Sequence, residues 1–127
     1  MRGYFYGDKP GPPDQAGYGT VSFHIPDLDI TFRARYRGTA LACEYAALLA
    51  LLEFIEINPK LFKGKPISVY GDSFAVVNQI NDRMFCEKSV QPFRNMALTY
   101  KRKIPYSLEW VPPTQNPAHV SIESDHQ

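Results

Sequence analysis

Cysteine is scarce in this chain: two in 127 residues, Cys43 in an Ala/Leu-rich stretch and Cys86 beside charged residues. Their separation fits neither a disulfide framework nor metal-ligand spacing, which points to reduced thiols in a cytoplasm-like compartment. Long apolar runs are missing as well. The longest, Tyr45 to Leu52, is too short to cross a bilayer, and Met1-Arg2-Gly3-Tyr4 lacks the apolar stretch of a secretory signal. The expectation is a soluble intracellular protein with no membrane partner. No sign of charge dominates: Lys and Arg number 14 against 13 Asp and Glu, a formal charge of +1. That excludes a broadly basic nucleic-acid glove, so any nucleic-acid contact must be local. Internal repeats and low-complexity tracts are also absent, and the length suits one domain able to bury a core without staples.

What is present is a clear succession of elements. Tyr4–Tyr6 is a short aromatic strand candidate, ended by Gly7-Asp8-Lys9-Pro10-Gly11-Pro12-Pro13-Asp14, which is too rich in Pro and Gly for regular structure. Gly17–Ile25 predicts a second strand. After the Pro26-Asp27 turn, Leu28, Ile30, Phe32, Ala34 and Tyr36 alternate with Asp29, Thr31, Arg33, Arg35 and Arg37, the period of a half-buried strand. Short connections make these three an antiparallel meander with arginines on its solvated face. Those arginines read as a soluble face or as phosphate contacts. Thr39 is a credible N-cap for a nearly all-apolar helix over Ala40–Ile57, ended by Asn58-Pro59. A buried strand over Ile67–Tyr70, helices over Ser73–Asn81 and Pro92–Lys103, a last strand from Tyr106 to Val111 and a polar tail, Ser121–Gln127, complete the order. Phe93, Met96 and Tyr100 fall at core spacing in the third long helix, and Lys101-Arg102-Lys103 suit its C-terminal dipole.

Two carboxylates stand out. Glu44 lies in the first turns of a helix made otherwise of Ala, Cys, Tyr and Leu, where it must be solvated, paired or metal-bound, or else serve the helix dipole. Asp72 follows a buried strand and precedes a helix, the place where α/β sheets take ligands. It could be an N-cap, but Ser73 could cap equally well.

At these residues the sequence resembles a family. Ala42-Cys43-Glu44-Tyr45-Ala46-Ala47-Leu48-Leu49 and Val69-Tyr70-Gly71-Asp72-Ser73-Phe74-Ala75-Val76-Val77-Asn78-Gln79-Ile80-Asn81 are similar to the first helix and the following strand and helix of ribonuclease H type 1. Trp110-Val111-Pro112-Pro113-Thr114-Gln115-Asn116-Pro117-Ala118 resembles the final strand and the Asn-Pro-Ala-Asp turn of its retroelement-type and bacterial members, and Pro10-Gly11 with Gly17-Tyr18-Gly19 resembles its first loop and second strand. The likeness spans nearly the whole chain. It implies a ribonuclease H-like α/β fold over residues 1–120, a mixed five-stranded sheet flanked by helices, with residues 121–127 as a tail.

The resemblance implies two-metal hydrolysis of the RNA strand of an RNA/DNA hybrid, with Mg²⁺ or Mn²⁺ held by hard ligands. Glu44 and Asp72 fall on the second and third ligand positions. For the first, ungapped matching places Tyr6, whereas a shortened loop places Asp8, on the same strand face two residues on. The fourth reads Asn116-Pro117-Ala118-His119, so His119 stands where an Asp is usual, like the fourth ligand of Piwi domains of Argonaute proteins. The expected metal and catalytic set is therefore Asp8, Glu44, Asp72 and His119, with Thr39, Ser73 and Asn116 as substrate contacts. The family's hybrid-reading Asn before the helix carboxylate is missing, as is its flexible-loop His. The alternative is a catalytically silent module on the same fold that binds nucleic acid or a protein partner.

Overall fold

The structure, a computed structural model, describes residues 1–119. The expected tail over Ser121–Gln127 and the domain end at residue 120 lie outside the described residues. The elements are β1 (Arg2–Asp8), β2 (Gly17–Ile25), β3 (Ile30–Gly38), α1 (Ala40–Ile57), α2 (Pro59–Phe62), β4 (Ile67–Gly71), α3 (Phe74–Ile80), α4 (Gln91–Lys103) and β5 (Tyr106–Trp110). One sheet of five strands in the order β3-β2-β1-β4-β5 holds them together. The meander β1-β2-β3 is antiparallel, and β4 and β5 add parallel strands beyond β1. This is the mixed sheet the sequence implied.

Three details differ from the sequence reading. The alternating strand starts at Ile30, because Pro26–Leu28 form a 3-10 turn that Asp29 closes in the left-handed region at φ 51°. β1 continues past the aromatic triplet, because Gly7 and Asp8 still pair with Val21 and Thr20 on β2; partner-strand hydrogen bonds override the turn propensity of the residues. The short helix α2 was not anticipated. It opens on Pro59, the residue that stops α1, since Pro fits a first helical turn where its missing N–H is not needed.

Of the described helices, α1, α3 and α4 lie on one face of the sheet, while the helical turn at 117–119 sets His119 on Tyr6, whose side chain points to the other face. Thr39 caps α1, its hydroxyl accepting from the Ala42 N–H at 3.2 Å. The helix buries Tyr45, Leu48, Leu51, Leu52 and Ile55 against Phe5, Val21, Phe23 and Val69. Tyr45 is wholly buried and donates to Gln79 Oε1 at 2.6 Å, tying α1 to α3. α4 packs on α1 through Ala97 and Phe93, the latter ring stacked on Tyr45. Met96, expected in the core, is 51% exposed, because α4 presents only a narrow stripe to the core and that stripe follows Phe93, Ala97 and Tyr100. Both cysteines are buried and form no disulfide with each other. No helix among the described residues is long and apolar enough to cross a membrane.

Candidate functional site

The strand order reverses between β1 and β4, and in α/β sheets the crevice outside the carboxyl ends at such a point is where ligands sit. Glycine brings the elements close there. A Cβ on Gly7 would stand 2.5 Å from the Cys43 carbonyl oxygen and 2.6 Å from Glu44 Cα, so only glycine lets the first turns of α1 lie directly over β1. That approach delivers Glu44 to the crevice.

Asp72 follows β4. Ser73 is the N-cap of α3, its hydroxyl accepting from the Val76 N–H at 3.2 Å, which frees the Asp72 carboxylate from capping. The Asp72 backbone is fixed from β5 by the Trp110 indole N–H, 3.3 Å from its carbonyl oxygen. Its side chain meets His119, with Nδ1 to Oδ2 at 3.1 Å. Asn116 explains why His119 arrives there. Completely buried, it donates from Nδ2 to the Phe5 carbonyl at 2.9 Å and accepts from the Ala118 N–H at 3.1 Å, clamping the turn onto β1. His119 then lies flat on the Tyr6 ring, centroids 4.1 Å apart and planes 21° from parallel.

The register decides between Tyr6 and Asp8. Phe5 pairs with Gly71, so Tyr6, one residue on, lies level with Asp72, while Asp8 is exposed and pairs with Thr20 farther out. The structure thus brings together Tyr6, Asp72 and His119, with Glu44 alongside and Asp8 at the rim. Thr39 is half-buried and engaged as a helix cap; Ser73 and Asn116 are buried and bonded within the fold. Sequence reasoning missed the Tyr6–His119 stack, the Asn116 clamp and the Trp110 brace. The ungapped match was the signal for Tyr6; nothing in the sequence announced the other two.

Electrostatically the crevice is acidic. Burial pushes the Glu44 carboxyl above its ordinary range, the Ser73 hydroxyl partly offsets this, and the negative charges of Asp72 and Asp8 push it further up. A raised carboxyl pKa means the folded chain holds this proton more tightly than the unfolded one. The group's contribution to stability therefore falls as pH rises from the ordinary value of 4.5 through the shifted one. Glu44→Gln should accordingly melt higher than the native chain at about pH 7, with the difference closing at about pH 4. Equal melting at both values would mean Glu44 is not strained by its neighbours.

The resemblance implies Mg²⁺ or Mn²⁺ at this crevice. Carboxylate oxygen suits Mg²⁺ or Mn²⁺, whereas imidazole nitrogen is the ligand of softer divalent ions. Among the described residues, however, no three His, Cys, Asp or Glu side chains gather into one ligand group. The level of the first carboxylate is taken by the Tyr6 ring, and Asp72 is already engaged by His119. As arranged, these residues do not fit a two-ion centre.

The chain has the fold of ribonuclease H. It is similar to LC11-RNase H1 isolated from compost by a metagenomic approach, at TM-score 0.79 and 16% identity over 99% of this chain and 97% of that one. The same enzyme in complex with an RNA/DNA hybrid gives 0.75 and 18% over 91% and 87%. RNase H1 of the halophilic archaeon Halobacterium salinarum gives 0.74 and 22% over 94% and 91%. No protein-family model matches the chain, and no curated protein matches it significantly.

Proposed function

We propose that this domain binds RNA/DNA hybrid at the crevice formed by Tyr6, Glu44, Asp72 and His119, as a module on the ribonuclease H fold that does not hydrolyse it. The observation that carries this reading is the Tyr6–His119–Asp72 arrangement at the carboxyl ends of β1 and β4: the ligand crevice is kept while the level of the first carboxylate is held by an aromatic ring. Similarity to a ribonuclease H1 bound to hybrid supports the choice of ligand. Because Asp8, Glu44 and Asp72 make the crevice acidic, Mg²⁺ or Mn²⁺ should act as counter-ions that strengthen binding to a polyanion.

A second reading has its own support. The joint push of Asp72 and Asp8 on Glu44 is what a cation placed among them would relieve, which favours divalent-metal-dependent cleavage of the RNA strand with Asp8, Glu44, Asp72 and His119 as ligands. It requires Asp8 to turn inward and the stack on Tyr6 to open.

Both readings are tested by titrating purified protein with labelled RNA/DNA hybrid, single strands and DNA duplex, in Mg²⁺, Mn²⁺ and chelator, beside Asp72→Asn. The expected result is hybrid preferred over DNA duplex, tighter with divalent ions at equal ionic strength, and no cleavage product. Folded protein that does not prefer hybrid overturns the binding reading; cleavage that Asp72→Asn abolishes puts the second in its place.

A further inference from the structure

β3 ends the sheet on one side. It pairs with β2 from Ile30 to Gly38, and no described strand pairs with its other edge. Alternate backbone N–H and C=O groups along that edge point off the sheet, which makes it a template for a further strand. Beside the edge, on the side where α1 packs, runs an apolar trough. Its first part, a cavity of about 390 Å³, lies between Phe32 and Tyr36 of β3, Ala46 and Leu49 of α1, and Phe93 and Met96 of α4. A second cavity of about 280 Å³ continues it past Phe54 to Ile57, sharing Phe32 and Ala50 with the first. Phe32 is 38%, Met96 51% and Ile57 65% exposed, a strip of apolar surface of the kind that marks an interaction site. Neither cavity is lined by a residue of the crevice or of the turn at 117–119.

Edge and trough together specify one kind of occupant. A strand added to β3 sends alternate side chains to the α1 side, level with Phe32, Ala34 and Tyr36, where the small Ala46 and Ala50 leave room for them. A helix in the trough would fill it and leave the edge unpaired. Glu53 lines both cavities, so the inward side chains must be apolar rather than acidic. The other side chains of the added strand stand beside Arg35 and Arg37, both exposed. Like charges opposed across a strand pair destabilise it, and opposite charges support it. A second copy of β3, paired so that both apolar sides share one face, would set arginine against arginine. An acidic strand would not.

We propose that the β3 edge and the trough beside it dock an extended segment of a partner protein in which apolar residues alternate with Asp or Glu, added to the five-stranded sheet as a further strand. Its apolar side chains lie between β3 and α4, and its carboxylates beside Arg35 and Arg37. The surface is separate from the crevice and does not depend on what the crevice binds.

The test is fluorescence anisotropy of the full chain with a labelled peptide of alternating Val and Glu, nine residues long to match β3. Its counterpart with Lys in place of Glu and its fully N-methylated form, which cannot donate to a strand, are the comparisons. The Val/Glu peptide should bind and should protect β3 amides from hydrogen exchange. The Val/Lys peptide should bind at least about tenfold more weakly, and the N-methylated form should not bind. Arg35→Glu/Arg37→Glu should reverse the preference in favour of Val/Lys, a reversal that misfolding cannot produce. Met96→Lys, at an exposed position, should weaken binding of the Val/Glu peptide by about tenfold by putting a charge in the trough. Hybrid affinity should be the same with and without saturating peptide, so failure of this proposal and failure of the crevice reading are told apart. Absence of Val/Glu binding at about 1 mM overturns the proposal. So does equal binding of the N-methylated form, equal binding of the two charge versions by native protein, or a dimer in sedimentation whose formation excludes the peptide, which would put a second copy on the edge.

Discussion

Replacing Gly7 with Ala is expected to cost this domain about 3 kcal/mol or more, at the top of the range for overpacking a well-filled site. The reason is the identity of the obstacle. A Cβ at Gly7 would meet the Cys43 carbonyl oxygen and carbon and Glu44 Cα at 2.5–2.6 Å, all of them backbone, so no rotamer change can relieve the clash. Either β1 must bend or α1 must move off the sheet. α1 carries the largest share of the core, with Tyr45, Leu48, Leu51 and Leu52 completely buried, and moving its first turns also carries Glu44 away from Asp72. Against a total stability of about 5–15 kcal/mol the effect is large and should lower the melting temperature by about ten degrees or more. Gly17→Ala is the control, since the nearest atoms to its Cβ lie 3.8 Å away on the flexible Lys9 side chain. It should change stability little. Equal stability of the two variants in urea unfolding would mean that α1 and β1 do not approach as described.

The second large effect is a gain. Tyr6→Asp puts a carboxylate level with Asp72 and removes the ring on which His119 lies. Together with Glu44 this gives the crevice three carboxylates converging from β1, α1 and the end of β4. Without metal the variant should be less stable than the native chain, because the new charge faces Asp72 and Glu44 at a half-buried site. With Mn²⁺ or Mg²⁺ at about 100 times its dissociation constant it should recover about 2.7 kcal/mol, read as a rise in melting temperature of several degrees that the native chain does not share. Hybrid cleavage should appear in the same conditions. Equal stabilisation of native chain and variant by the ion would show that the native donors already suffice, with Asp8 as the missing member.

Most of the architecture was legible in the sequence because it rests on local rules. Alternation over Leu28–Arg37, the Thr39 cap, the Asn58-Pro59 stop and the apolar Ile67–Tyr70 run each specify an element through backbone and side-chain preferences that act within a few residues. The resemblance around Glu44 and Asp72 then ordered those elements into a ribonuclease H-like sheet. Ser73 could be named as an alternative cap to Asp72 from sequence, but only the Val76 hydrogen bond decided between them.

The centre of the site was decided at longer range. Whether Tyr6 or Asp8 stands beside Asp72 depends on the β1–β4 register, which is set by pairing between strands more than sixty residues apart. His119 reaches Asp72 because Asn116 is buried against the carbonyl of Phe5, a link across 111 positions that no local pattern encodes. The arginine-bearing side of β3 follows the same division. The sequence determined that Arg33, Arg35 and Arg37 share one side of a strand, since side chains alternate along any extended backbone. That this side also carries Tyr4, Tyr18 and Tyr70, and that α1 packs on the opposite one, was settled only when five strands were laid side by side and α1 buried its apolar surface against one face of them.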